Sequence, residues 1–324
     1  MSSQPSIVWI AWENHTRNRS LSAELHAHLV QLDYPHQNRL VRYAQSISKT
    51  IALLWRWRSK IVIAQNPSII LCFLCVILRP LLRYRLVIDA HNAGIFPKEG
   101  RSYWLQKVAD MIIRQTAYTI VTNQGMAKII EEKNGRPIVL PDPLPTLHTP
   151  PPAEPLAHSV IFICSWAADE PFIEVFKAAE QLPELNFYVT GKSKGREQQF
   201  GRALPANIKL TGYLPELEYL QLLNSCDIVL DLTTRDHCLV CGAYEAVSCK
   251  KPFVLSNNQA TQDYFRLGGT YCDNTAPSIA SCLRKVYLNK ENYIKEVETL
   301  HAQLQHEWHQ SLHQAQRLIE NKPL

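Results

Sequence analysis

The chain has 324 residues, of which 46% are apolar and 19% charged, and its net charge is +5. That length suggests two domains and is ample for a buried core without disulfide or metal staples, and the composition excludes wholesale disorder. The charge is uneven: residues 1–140 hold 18 Lys and Arg against 8 Asp and Glu, while the rest holds 16 against 21, so a basic front precedes an acidic back.

The N-terminus is polar and then enters a short apolar run, with no secretory pattern. The longest apolar run, Ile69 to Leu78, is ten residues, and a membrane span needs about 20. Nine cysteines is an odd count that reads as free thiols in a reducing compartment. The expectation is a cytoplasmic protein, with a peripheral position at the inner face of the cell membrane.

In chain order, Ile7–Trp12 predicts a strand and 13–19 a polar loop. Leu21, Leu25, Leu29 and Leu32 stand at helical spacing, which predicts a helix over 20–32. Residues 43–58 predict an amphipathic helix with Trp55 and Trp57, Ile61–Ala64 a strand, and 68–82 a buried helix. Leu86–Asp89 predicts a strand leaving through Ala90-His91-Asn92, 102–117 a helix, Thr119–Thr122 a strand, 124–134 a helix and Ile138–Leu140 a strand. Strands alternating with helices imply a parallel doubly wound sheet, with ligands at the C-terminal strand ends.

Residues 141–155 hold seven prolines and can form neither a helix interior nor a central strand. They read as a stiff linker over 143–158, between an N-terminal domain at 1–142 and a second domain at 159–290. The alternation then restarts. Strands are predicted at 159–164, 185–190, 208–211, 228–232, 253–256 and 269–272, and helices at 170–181, 216–225, 242–249 and 260–266. A helical stretch follows over 277–320, with 291–324 as a C-terminal tail.

The dinucleotide, Walker and nucleophile-elbow glycine patterns are all absent, which weakens the dehydrogenase, P-loop and hydrolase readings. Two Cys-x-x-Cys pairs occur, Cys72/Cys75 and Cys238/Cys241. The first lies in an apolar run and the pairs are more than 160 residues apart, so no metal is expected.

The segment 208–273 carries the chemistry. It contains Ile208-Lys209-Leu210-Thr211-Gly212-Tyr213-Leu214, Cys226-Asp227-Ile228-Val229-Leu230-Asp231, Arg235-Asp236-His237, Gly242-Ala243-Tyr244-Glu245-Ala246 and Pro252-Phe253-Val254. This resembles the nucleotide-sugar half of GT-B glycosyltransferases, especially family 4 and its relatives. The stretch Ser165-Trp166-Ala167-Ala168-Asp169-Glu170 is similar to a loop of chitobiosyldiphosphodolichol mannosyltransferases. Asp89-Ala90-His91 and Leu140-Pro141-Asp142-Pro143 have counterparts in the same superfamily.

The resemblance implies an α/β GT-B fold, two Rossmann-like domains facing a cleft with a helical C-terminal tail. It implies transfer of a sugar from a nucleotide-sugar donor to a glycan or lipid-linked acceptor, in cell-envelope or polysaccharide synthesis, with no metal or other cofactor. On the donor side, a helix starting near Gly242 and Ala243 offers N–H groups to a diphosphate. Glu245 would accept from the ribose hydroxyls, and Gly212, Tyr213 and Leu214 would meet the base edge. Lys192, Arg235 and Ser165 complete the donor set. His237 stands eight residues before Glu245, where the family usually has a Glu, and is a further catalytic candidate. On the acceptor side, His91 or His15 would serve as general base, with Glu13 and Asp89 as further candidates. Arg17 and Arg19 would hold an acceptor phosphate.

The basic residues and tryptophans of 42–58 and 79–85 add an expectation of peripheral membrane contact. Nucleic acid is not an expected partner, because the basic charge lacks the required clustering. Two alternatives stay open, a non-catalytic GT-B-like partner subunit and a nucleotide-sugar epimerase of the same fold.

Overall fold

A computed structural model describes residues 5–147 and 154–320. The chain divides into two compact units, Met1–Pro143 with Glu307–Leu324, and Leu144–His306.

The first unit comprises β1 (Ile7–Ala11), α1 (Thr16–Glu24), β2 (His28–Gln31), α2 (Arg39–Trp57), β3 (Ile61–Asn66), α3 (Ile69–Leu82), β4 (Arg85–Ala90), the short α4 (Asn92–Ile95), α5 (Tyr103–Gln115), β5 (Tyr118–Val121), α6 (Gln124–Glu132) and β6 (Pro137–Val139). Its six strands are parallel in the order β2-β1-β3-β4-β5-β6. Helices cover both faces, so the strands read as continuous apolar runs rather than alternating ones. Val8, Ile10, Val62 and Ile88 pack on one face with Leu71, Cys75 and Ile112. Ile7, Trp9, Ile63 and Val87 pack on the other with Leu21 and Leu25.

The expected helix over 20–32 is corrected here. It ends at Glu24, His26 takes a left-handed φ of 50°, and 28–31 pairs with β1 instead. Leucines at spacings of four and three fit a helix locally, but the chain beyond Leu25 completes the sheet edge.

The second unit comprises β7 (Leu156–Phe162), α7 (Phe172–Glu180), β8 (Asn186–Thr190), β9 (Ile208–Gly212), α8 (Glu216–Ser225), β10 (Cys226–Asp231), α9 (Cys241–Ser248), β11 (Phe253–Ser256), α10 (Gln259–Tyr264), β12 (Gly269–Cys272), α11 (Ala276–Leu288) and most of α12 (Lys290–Glu320). Its strands are parallel in the order β12-β11-β10-β7-β8-β9. β7 is under way at Leu156, within the stretch read as linker, and 148–153 lies outside the described residues. The helical tail is two helices, broken at Asn289. Residues from Glu307 onward belong to the first unit, where Trp308, Leu312, Ala315 and Ile319 join the cluster around Trp9.

Lys250 stands where a glycine usually ends a helix. It takes φ 55°, and Lys251 N–H reaches back to Ala246 O at 2.8 Å, which closes α9 in a Schellman-type turn.

Candidate active site

In each unit the parallel strands deliver loops to their C-terminal ends, and the expected site residues lie on those loops or near the starts of the helices that follow. In the first unit they form a charged cluster. Arg17, in the first turn of α1, is 2% exposed. Its Nε and Nη2 donate to Asp89 Oδ1 at 3.0 and 2.9 Å, its Nη1 donates to Asp142 Oδ1 at 2.8 Å, and Nη2 also reaches Leu140 O at 3.0 Å. Burial works against the Arg17 charge, but Asp142 and Asp89 outweigh it and raise the pKa. Burial alone pushes the Asp89 carboxyl up, yet Arg17 and His91 hold it well below the ordinary range. Arg17 is therefore no free hand for an acceptor phosphate. It ties the start of α1 to β4 and to the exit of β6.

His91 follows β4, and its Nε2 lies 3.5 Å from Asp89 Oδ2. Its backbone N–H donates to Asn66 O at 2.8 Å. The ring thus turns Nε2 toward a carboxylate at ion-pair distance, while that buried nitrogen makes no hydrogen bond. His15 lies edge-on to it, with ring centroids 5.2 Å apart. Burial and the neighbouring His91 lower the His15 pKa. His15 Nδ1 also accepts from Arg17 N–H at 3.2 Å, so it caps α1. Arg19 is exposed and bonded to Asn14. Glu13 is exposed and lines a separate cavity beside α2.

Sequence reasoning missed Asn66. Its amide is buried with neither end paired, and a Cβ at Gly94 would lie 2.3–2.6 Å from its atoms. An unpaired buried polar group costs about 1–3 kcal/mol, so a partner for Asn66 beside His91 is to be expected. The only sequence signal was a polar pair, Gln65-Asn66, at the end of an apolar strand.

In the second unit an open cavity of about 560 Å³ is lined by Ser165, Lys192, Lys194, Tyr213, Leu214 and Tyr219, among others. Four expected donor residues, Ser165, Lys192, Tyr213 and Leu214, meet there. Lys192 Nζ lies 5.7 Å over the Tyr213 ring. Gly212 takes φ 70° in open space, so glycine is needed there for the turn rather than for close packing. Gly191 is needed for both reasons. Its φ is 78°, and a Cβ would lie 2.2 Å from Cys164 O.

Glu245 lies within α9, and the Tyr219 hydroxyl donates to its Oε2. Burial raises the Glu245 pKa, and the Tyr219 bond opposes the rise. Burial and the charge of Glu245 push the phenol upward, so Tyr219 stays a donor. Because Tyr219 also lines the cavity, the pair links Glu245 to it. Tyr219 was not legible in the chain order, since the pairing spans 26 residues.

Other donor expectations are corrected. Gly242 N–H donates to Asp231 Oδ2 at 2.8 Å, and a Cβ at Gly242 would lie 2.5 Å from that oxygen and from Ile163 Cδ1. Ala243 is in the core and its N–H goes to Val240 O. These two amides are therefore committed within the protein and do not wait for a phosphate. Asp231 is also unanticipated. Burial raises its pKa, Gly242 N–H opposes this, and Glu170, Glu245 and Asp169 add to the rise. Ser165 N–H, Ser165 hydroxyl and Ala167 N–H all donate to the Glu170 carboxylate. Arg235 is paired to Asp169 at 3.2 Å. His237 lies in the 232–240 loop at φ 56°. None of the nine cysteines is in a disulfide, and Cys72 and Cys75 are buried in α3.

Residues 172–320 match the family described as Glycosyl transferase-like. No curated protein matches the chain. Among solved structures, HepE of Anabaena in complex with UDP-glucose superposes with a TM-score of 0.71 at 13% identity, covering 96% of this chain and 100% of that one. Sucrose-phosphate synthase of Thermosynechococcus elongatus gives 0.73 at 12% identity, covering 98% of each chain. The lipopolysaccharide outer core galactosyltransferase WaaB gives 0.66 at 13%, covering 98% of this chain and 99% of that one. At these identities the likeness establishes the fold, which is GT-B.

Proposed function

We propose that this chain, which has the GT-B fold, is a glycosyltransferase that takes its sugar from a nucleoside diphosphate donor held in the second-unit cavity. One observation carries this reading. Two lysines, the aromatic face of Tyr213 and the Tyr219–Glu245 pair converge on one open cavity at the strand ends. Glu245 accepts from the ribose hydroxyls, and Tyr219 orients it. Lys192 and Lys194 neutralise the diphosphate, and the Gly212–Leu214 turn meets the base edge. HepE, solved with UDP-glucose, supports a nucleotide-sugar donor.

The first unit supplies the acceptor side. His91 accepts the proton of an acceptor hydroxyl as its oxygen bonds the anomeric carbon. The bond from that carbon to the diphosphate breaks, and the lysines meet the charge that develops on the leaving group. Asp89 faces His91 Nε2 and orients the ring. The acceptor is a glycan or a lipid-linked glycan of cell-envelope or exopolysaccharide synthesis, reached from the cytoplasmic side with peripheral membrane contact.

The test is transfer of sugar from a panel of nucleotide sugars, following release of the nucleoside diphosphate. His91→Ala is expected to lower kcat by about 10²–10⁴-fold while donor affinity is unchanged. Undiminished turnover by His91→Ala would remove it from the mechanism. Donor binding without transfer would favour a partner subunit, and a new sugar formed without acceptor would favour an epimerase.

A further inference from the structure

The cavity beside α2 has no role in the reading above. It holds about 210 Å³ at the end of β1, lined by Trp12, Glu13, Arg42, Tyr43, Ser46 and Ile70, among others. Ser46 is 1% exposed and its hydroxyl has no partner. A buried hydroxyl facing a cavity without a partner asks for one from outside the chain. Arg42 lies 5.5 Å over the Tyr43 ring and has no carboxylate partner among the described residues. The fourteen-residue helix α3 begins at the same cavity, so its positive end adds to Arg42.

From there α3 presents an apolar stripe outward. Ile70, Phe73, Ile77 and Leu81 follow spacings of three and four, and they are 39–61% exposed. Ile70 belongs to both the cavity wall and the stripe. The α2–α3 stretch is cationic, since residues 34–88 hold nine Lys and Arg and no Asp or Glu, while Glu13 adds one acid at the cavity wall. An anion-seeking cavity therefore opens directly onto an unpartnered apolar track. Glu13, exposed at the cavity, favours a head group that also presents a hydroxyl, as a phosphate-linked sugar does.

We infer that this cavity holds the phosphate-bearing head group of an amphiphilic acceptor whose apolar chain lies along Ile70, Phe73, Ile77 and Leu81. The inference rests on the reading of the first unit as the acceptor side.

The test measures binding of three probes to the full chain: inorganic phosphate, farnesol, and farnesyl phosphate below its micelle concentration. Farnesyl phosphate is expected to bind at least about tenfold more tightly than either part. Arg42→Ala should lose about tenfold for farnesyl phosphate and leave farnesol unchanged. Ile77→Ser should weaken farnesyl phosphate and farnesol alike and leave inorganic phosphate unchanged. Both side chains are at least partly exposed, and an unchanged Tm verifies that each variant folds. Farnesyl phosphate binding no tighter than its parts, or indifferent to Arg42→Ala, overturns the inference. Inorganic phosphate binding as tightly as farnesyl phosphate assigns the cavity to a soluble phosphate and overturns the lipid. Nucleoside diphosphate binding on the same samples separates the two readings: if it persists while farnesyl phosphate fails, only this inference falls.

Discussion

Arg17 illustrates what a single residue's sequence context conceals. A charged side chain after a strand reads as a ligand contact, but its carboxylate partners lie 72 and 125 residues away. Arg17→Met should therefore destabilise the first unit by about 3–5 kcal/mol, because Asp89 is left buried and unpaired. The sign of the pH dependence follows from the lowered Asp89 pKa. Its stabilising share is present above the unfolded carboxyl pKa and is lost as pH falls through the folded one. Unpaired Asp89 behaves oppositely, so the gap in Tm between wild type and Arg17→Met should narrow as pH falls from 7 to 3. A constant gap contradicts the pairing.

Glu245 has the reverse sign. Its pKa is raised by burial, so its share of stability is full below the unfolded carboxyl pKa and is lost as pH rises through the folded one. Glu245→Gln should raise Tm at neutral pH while weakening donor binding. Ribose hydroxyls that donate to the carboxylate favour its ionised form. Donor binding should accordingly release protons at mildly acidic pH, measured by calorimetry in buffers of different ionisation enthalpy. The position of Glu245 near the start of a helix was legible from the Gly-x-x-Glu pattern. Tyr219 and Asp231 were not, because only the folded chain brings them to it.

The alternation of strands and helices was legible because both sheets are parallel and their strands are buried on both faces. Helix 216–225 and strands 253–256 and 269–272 were read to the residue. β2 was not, since Leu29 and Leu32 continue the spacing of α1 and only pairing with β1 decides its state. The start of α9 shows the limit of reading a site from an element. A helix N-terminus does offer amides, but Asp231 already takes the one at Gly242. Gly242→Ala should destabilise the second unit by about 1–3 kcal/mol, because the new methyl meets Asp231 and Ile163. Denaturant unfolding measures this, and an unchanged midpoint would show that α9 can shift at little cost.

Across the whole molecule, the proline-rich segment announced two units, while the return of the C-terminal helix was hidden. Residues after 306 looked like a polar tail rich in His and Gln. Their apolar members nevertheless complete the core around Trp9, and Trp308 Nε1 donates to Pro141 O at 3.1 Å. Trp308→Ala should destabilise the first unit by about 3–5 kcal/mol, read as a lower Tm.

The central claim is that the second unit holds a nucleoside diphosphate through Glu245. Calorimetry with a panel of nucleoside diphosphates, run on wild type and on Glu245→Ala, tests it most directly. One base should bind the wild type, and the variant, still folded by circular dichroism, should lose at least about tenfold in affinity. No binding at millimolar concentration, or equal affinity in the two proteins, would contradict it.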